Sequence, residues 1–208
     1  MFGNLASDVL GLSDLGKIID SKNFDKTDID EYVFTEDGEK IYAIIKSLKD
    51  EYCFTNVAFI HLDGATATSK RRLLSRYSYK HFPISHVHLE TAGTVDLDAE
   101  IKFNYGDKNL SIDIDKSQID KIRDIYKALV VISEKCHEIK TDMNTLEHTH
   151  DVIFKMFTLR ELSSENAVLN LPDIINQTCQ QVESHYNTRK SEIRNYDFGA
   201  VFARYIKW

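Results

Sequence analysis

Two alternating runs that meet at a glycine-containing bend constrain the fold of this chain more than any other feature. Residues 88–101 read HLETAGTVDLDAEI, and apolar and polar positions alternate after the bend at Ala92 and Gly93. A period of two is typical of strands that bury one face, and small residues allow a sharp turn between strands. We expect core positions at Leu97, Ala99 and Ile101, and outward carboxylates at Asp96, Asp98 and Glu100.

The same period-two pattern extends over residues 39–115. Turn signals separate its runs at Asp37-Gly38, Asp63-Gly64 and Gly106-Asp107. Runs rich in β-branched and aromatic residues between such turns predict six or seven antiparallel strands. The runs are 41–46, 52–62, 73–82, 87–91, 95–105 and 110–114.

From Ser117 the period changes to intervals of three and four, which predicts a long helix. Ser117, followed by Asp120, is a candidate N-terminal cap, and no glycine or proline occurs between Asp107 and Leu171. The apolar seam consists of Ile122, Ile125, Leu129, Ile132, Cys136, Ile139, Met143 and Leu146. It runs for about seven turns, whereas covering a small sheet body needs about four. A second helix beginning near Leu171-Pro172 would complete a helical hairpin.

Both ends of the chain carry apolar segments. Near the N-terminus, Phe2, Leu5, Val9 and Leu12 lie three or four residues apart, which predicts a short helical leader. Residues 196–208 are rich in bulky apolar side chains and include Phe202 and Trp208. We expect this segment to pack against the hairpin or a neighbouring copy, and the alternative is an interfacial membrane anchor using Arg204, Lys207 and Trp208.

Composition and charge limit the classes of function. With 42% hydrophobic residues the chain has enough apolar surface for a core, and a net charge of −7 argues against a nucleic-acid binder. Three widely spaced cysteines suggest neither a disulfide framework nor a zinc knuckle. We find no signal-peptide or membrane-spanning pattern and expect a cytoplasmic protein.

A basic run stands out against this acidic background. No acid occurs between Asp63 and Glu90, while Lys70, Arg71, Arg72, Arg76 and Lys80 contribute five positive charges. Clustered lysine and arginine are attracted to anionic surfaces, so these residues are candidates for contact with anions or lipid head groups. The alternatives are a solvated strand face or a surface for salt bridges between subunits.

The remaining polar clusters favour structural roles. His86 and His88 would share a strand face, but no cysteine or carboxylate completes a metal site by spacing. Asp96, Asp98 and Glu100 lack a convergent base or nucleophile. We therefore expect a non-enzymatic protein with no cofactor and no metal.

Three motifs carry a resemblance to a known family. They are residues 52–56 (YCFTN), 82–85 (FPIS) and 90–101 (ETAGTVDLDAEI). Together they resemble the bacterial pleckstrin-homology domain family over roughly residues 30–135, and the remainder is similar to the YvbH-like oligomerisation extension. The sequence departs from the family where a basic pair usually follows Asn56, because Val57 and Ala58 stand there.

The resemblance implies an α+β fold in which two nearly orthogonal antiparallel sheets, about seven strands in all, form a PH-like barrel capped by a C-terminal helix. Together with the periodicity of the sequence, the resemblance predicts three regions. These are a helical leader at 1–30, a PH-like domain at 31–135, and a helical hairpin with an apolar C-terminal segment at 136–208. It also implies homo-oligomers, including rings formed by pairing of sheet edges.

We therefore expect a self-assembling scaffold or interaction protein, with other copies of the chain or another protein as partner. The alternative is a peripheral membrane protein that gains avidity for anionic lipid from its oligomer. Candidate assembly residues are Cys136, Ile139, Met143, Leu146, Phe202 and Trp208.

Overall fold

The computed structural model describes residues 15–64, 72–91, 98–162 and 171–208. The chain forms two compact units. The first contains the described residues up to Cys136 together with Asp197–Trp208, and the second contains residues of 137–196.

The first unit contains two antiparallel sheets, which confirms the predicted α+β fold. The five-stranded sheet has the order β1-β2-β3-β4-β5, and the three-stranded sheet has the order β6-β7-β8. The strands are β1 (Lys17–Ile18), β2 (Ile41–Lys46), β3 (Glu51–Thr55), β4 (Ala58–Gly64), β5 (Arg72–Ser78), β6 (Ile84–Thr91), β7 (Asp98–Tyr105) and β8 (Lys108–Asp115). The two-residue strand β1 is an addition to the seven that we expected.

The run 52–62, which alternation predicted as one strand, is a hairpin of β3 and β4. The Thr55 hydroxyl accepts hydrogen bonds from the amides of Val57 and Ala58, which closes a tight turn. Apolar residues on both sides of that turn hid it from a pattern-based prediction. The predicted turn at Asp63-Gly64 is also wrong, because Gly64 is still paired within β4, opposite Arg72.

Aromatic side chains fill the space between the sheets. Phe59 of β4 meets Phe103 of β7 edge to face, with ring centroids 5.4 Å apart, and Phe54 lies 5.2 Å from Phe59. Ala99 and Ile101 are buried on the same strand as Phe103, while Asp98 and Glu100 are half-buried and alternate with them. This confirms the predicted alternation for residues 98–101; residues 92–97, with the bend, lie outside the described residues.

The outer face of the five-stranded sheet is covered by the segment before β2. This segment forms three short 3₁₀ helices, Ser21–Lys26, Ile29–Tyr32 and Thr35–Asp37. Ile29 and Val33 pack with Ile44 and Cys53 in one buried cluster. The predicted leader residues Phe2, Leu5, Val9 and Leu12 lie outside the described residues.

The helices are α1 (Ile119–Leu162), α2 (Leu171–Arg194) and α3 (Gly199–Tyr205). A 3₁₀ turn at Lys116–Gln118 precedes α1, and Asp115 rather than Ser117 provides the cap, since its carboxylate accepts from the Ser117 amide at 2.9 Å. Ile122, Leu129 and Ile132 of α1 are fully buried in the first unit. In the second unit the His150 ring lies 4.3 Å from the Tyr186 ring of α2.

The C-terminal segment belongs to the first unit, although the sequence grouped it with the helical extension. Phe202 of α3 stacks on Tyr42 of β2 with centroids 5.2 Å apart, and Phe198 meets Tyr79 edge to face at 5.3 Å. Aromatic side chains on the sheet body therefore provide the apolar surface that this segment needs. No helix in the described part of the chain combines the length and apolar character required to cross a bilayer.

Candidate functional site

The basic run is divided by the structure. Lys70 and Arg71 lie outside the described residues. Arg72 and Arg76 are on the edge strand β5, and Lys80 is exposed just beyond it. Each of the two arginines pairs with a carboxylate of the segment that covers the sheet.

Arg76 forms an ion pair with a buried carboxylate. Its Nη2 lies 2.9 Å from Oε1 of Glu39, whose side chain is only 2% exposed. The same carboxylate accepts a hydrogen bond from the Thr55 hydroxyl at 2.5 Å and one from the Phe34 amide at 2.9 Å. A buried carboxylate that lost its arginine would be left uncompensated, so Arg76 has a structural role.

Arg72 pairs with Asp28 in the covering segment. Both side chains are about half exposed, and the pairing lowers the pKa of Asp28 and raises that of Arg72. Arg76 additionally lies over the Phe34 ring, 4.5 Å from its centroid. The two arginines therefore fasten the covering segment to β5, and their charges are compensated within the chain.

The carboxylates of β7 lie on the outer face of the three-stranded sheet. Glu90, Glu100 and Asp113 are successive cross-strand neighbours in one row. Lys102 lies 2.9 Å from Glu90 and 2.8 Å from Glu100, and these two acids raise the pKa of Lys102 to about 12. The arrangement is a solvated ion-pair network, which supports the structural interpretation of these acids.

The histidines of β6 do not lie on a regular strand. The pairing of β6 with β7 shifts register between Ser85 and His88, and His86 has φ of 51°. This bulge interrupts the strict alternation on which the expected shared face depended. The described residues include no group of three or more His, Cys, Asp or Glu side chains suited to a metal ion.

The predicted assembly residues separate into the two units. Cys136 and Phe202 are buried in the first unit, and burial raises the pKa of the Cys136 thiol. Trp208 is half-buried there, with Lys121 Nζ 4.7 Å from its ring centroid. In the second unit Met143 is buried. Ile139 and Leu146 are half-buried in that unit.

Two exposed apolar features are not predictable from the sequence pattern. Leu73 on β5 is 63% exposed. On α1, Val152 and Met156 are exposed and lie four residues apart, on one side of the helix. The sequence of β5 predicts a strand but does not indicate that, among the described strands, it pairs on one side only.

Two antiparallel sheets pack around an aromatic core, and a long helix follows the last strand, β8. This arrangement defines a PH-like fold. The chain belongs to the Bacterial PH domain family, whose model matches residues 9–133. This confirms the resemblance that the three motifs indicated.

The relatives are themselves bacterial proteins. The chain is 46% identical over 209 residues to the uncharacterized protein YvbH of Bacillus subtilis (strain 168), covering 99% of both chains. It is 32% identical over 97 residues to the uncharacterized protein YjqA of the same strain, covering 46% of this chain and 76% of YjqA. A crystal structure of a PH-domain-containing protein from Exiguobacterium sibiricum 255-15 superposes with a TM-score of 0.81 at 41% identity, covering 93% of this chain and 100% of that one.

Proposed function

We propose that this protein is a non-enzymatic scaffold that self-assembles through the free edge of β5. The observation that carries the proposal is the edge itself. β5 pairs with β4 over seven residues without a register shift and has no neighbour on its other side among the described residues. A long, regular edge presents unpaired amide and carbonyl groups to another strand.

Charges usually protect such an edge from pairing, and β5 contains two arginines. Both are already paired with carboxylates of the same chain, Arg72 with Asp28 and Arg76 with Glu39. The exposed Leu73 side chain adds apolar surface beside the edge. The features that would discourage association are therefore compensated, while those that favour it are exposed.

The edge of the three-stranded sheet at β6 is less suitable. Its bulge near His86 disturbs the regular spacing of backbone groups that a pairing strand requires.

The exposed Val152 and Met156 on α1 offer a separate apolar surface in the second unit. This surface is suited to a helix of another copy or of another protein partner.

The decisive measurement is the molar mass of the full chain by light scattering at several concentrations. We expect a multiple of the chain mass for the native protein and a shift towards monomer for Leu73→Lys. This substitution introduces a charge at the edge, and Asp63 lies directly opposite, so the folded strand pair tolerates it. The control is Leu48→Lys, which changes an 81% exposed leucine in the turn between β2 and β3.

A monomeric native protein at every concentration would refute the scaffold proposal. An equal loss of association in Leu48→Lys would refute the role of the edge. Truncation after Glu134 is less informative, because it also removes Phe198 and Phe202, which pack on the sheet body.

The membrane alternative has less support, because Arg72 and Arg76 are paired within the chain. We expect the full chain not to sediment with vesicles of phosphatidylcholine and phosphatidylserine at low ionic strength. Salt-sensitive sedimentation would favour the alternative over the scaffold.

A further inference from the structure

An open cleft beside the β1–β2 pair is lined by three lysines that the scaffold proposal does not use. The cleft has a volume of about 360 Å³ and is lined by Lys17, Lys26 and Lys46, with Asn23, Thr27 and Gln118 among its polar residues. Lys17 and Lys26 are exposed, and the buried Ile18 forms part of the lining. The described members of the basic run, Arg72, Arg76 and Lys80, do not line this cleft.

The charges around the cleft are unevenly balanced. Lys17 and Lys46 are direct cross-strand partners, an arrangement that costs free energy because like charges face each other. Glu51 lies 2.5 Å from Lys46 and compensates its charge, and the other oxygen of that carboxylate accepts a hydrogen bond from the Ile29 amide at 2.8 Å. Lys17 makes no ion pair in the part of the chain that the structure describes, although its charge helps to lower the pKa of Asp115.

The remaining charged side chains of the lining are Lys26 and Asp20. The Lys26 ammonium donates to the side-chain oxygen of Asn23, which is neutral, at 2.8 Å. Asp20, the one carboxylate among the described lining residues, is paired with Lys121. The described lining therefore contains three lysines and one carboxylate, and a bound anion would reduce the repulsion among the lysines.

The walls of the cleft are held in place by hydrogen bonds. Gln118 accepts from the Ile18 amide at 2.7 Å and donates to the Ile18 carbonyl at 3.0 Å, which ties β1 to the residues just before α1. The Thr27 hydroxyl donates to the Phe24 carbonyl at 2.6 Å. Because Asn23 uses its oxygen for Lys26, its amide nitrogen stays available as a donor to a ligand.

We infer that this cleft binds a small molecule carrying a phosphate group. Ammonium groups bind phosphate as point charges, and the Asn23 amide adds a neutral donor. The volume lies within the range of small-molecule sites. The inference goes beyond the scaffold proposal, since the cleft and β5 involve different residues and either site functions without the other.

Calorimetric titration of the full chain with inorganic pyrophosphate at low ionic strength tests the inference. We expect saturable binding that Lys17→Gln/Lys26→Gln weakens by about fivefold per lysine. The matched control is Lys80→Gln/Lys140→Gln, which removes the same charge from exposed lysines outside the described lining of the cleft. The control should bind as the native protein does.

Absence of saturable binding, or equal weakening in the control, would overturn the inference. A second titration uses glycerol 3-phosphate, and a sedimentation experiment uses vesicles of phosphatidylcholine and phosphatidic acid. Binding of glycerol 3-phosphate without sedimentation identifies a free phosphate ester. Sedimentation that depends on Lys17 and Lys26 identifies a lipid phosphate at the same cleft, and either result supports the phosphate site.

Discussion

The Asn56 side chain donates a hydrogen bond to Oδ2 of Asp197 at 2.8 Å, across 141 positions of sequence. The Asn56 carbonyl also accepts from the Phe198 amide at 2.9 Å, and Asp197 Oδ1 accepts from the Gly199 amide at 2.6 Å. The turn between β3 and β4 thereby holds the start of α3. Residues 137–196 are thus an insertion, in sequence, within the first unit.

We predict that Asn56→Ala and Asp197→Ala each lower the free energy of unfolding by about 1–2 kcal/mol, because each leaves a polar partner without its hydrogen bond. The double variant should lose less than the sum of the two, as expected for directly coupled residues. Urea unfolding measures both effects. Asn195→Ala serves as control, because that exposed side chain donates to Ser191; a comparable loss there would contradict the assignment.

The two halves of the α1 seam should respond differently to a charge. Leu129→Asp places a carboxylate at a fully buried position of the first unit and should cost several kcal/mol. Ile139→Asp changes a half-buried position of the second unit and should mainly weaken the hairpin. Hydrogen exchange resolved by strand distinguishes them: only Leu129→Asp should lower protection in β7 and β8. Equal loss of protection in both variants would show that the helix is not divided in this way.

Gly64→Ala should be far more damaging than Gly38→Ala. A Cβ at Gly64 would lie 1.7 Å from the Lys49 carbonyl oxygen, so the backbone of the β2–β3 turn would have to move. At Gly38 a Cβ meets nothing within 4 Å, and the cost comes from its φ of 81°, on the order of 1 kcal/mol. Thermal unfolding of the two variants gives the comparison. Similar melting temperatures would contradict the close approach at Gly64.

Acid should weaken the fold through carboxylates whose pKa is lowered by partners. The hydrogen bond from Arg72 holds the pKa of Asp28 below the ordinary value of an aspartate, and the hydrogen bond from Ser117 does the same for Asp115. A lowered folded-state pKa stabilises the protein above the unfolded value, and that contribution is lost as the pH falls through the folded value. Burial raises the pKa of Asp113, which acts in the opposite direction.

We therefore expect the urea midpoint to fall as the pH is lowered below about 4. Arg72→Gln should make this fall shallower, because it removes the partner that lowers the pKa of Asp28. Arg123→Gln is the matched control, since Arg123 pairs with Asp120 on the exposed surface of α1. An unchanged pH profile in Arg72→Gln would contradict the linkage.

The secondary structure of β7 and α1, and the face that each of them buries, could be predicted from the spacing of apolar residues. The alternation of residues 98–105 gave both the existence of β7 and the face that it buries. The spacing of Ile122, Leu129 and Ile132 gave the buried side of α1. In both cases the period of the backbone determines which side chains share a face, so the pattern can be read without knowing the partner.

The partners of the candidate site were not predictable from local pattern. The run Lys70–Lys80 indicated a basic surface, yet Arg72 and Arg76 pair with Asp28 and Glu39, 44 and 37 positions earlier. The three lysines of the cleft come from β1, β2 and a 3₁₀ helix, so no sequence motif joins them.

The sequence by itself therefore determined most of the strands, the long helix and the family of this protein. Only the tertiary structure decided that the C-terminal segment packs on the sheet body and that no other described strand pairs with the outer edge of β5. The physical reason is one of range. Backbone periodicity acts over a few residues, whereas the partner of a charge, an aromatic ring or a strand edge depends on which distant segments the folded chain brings together.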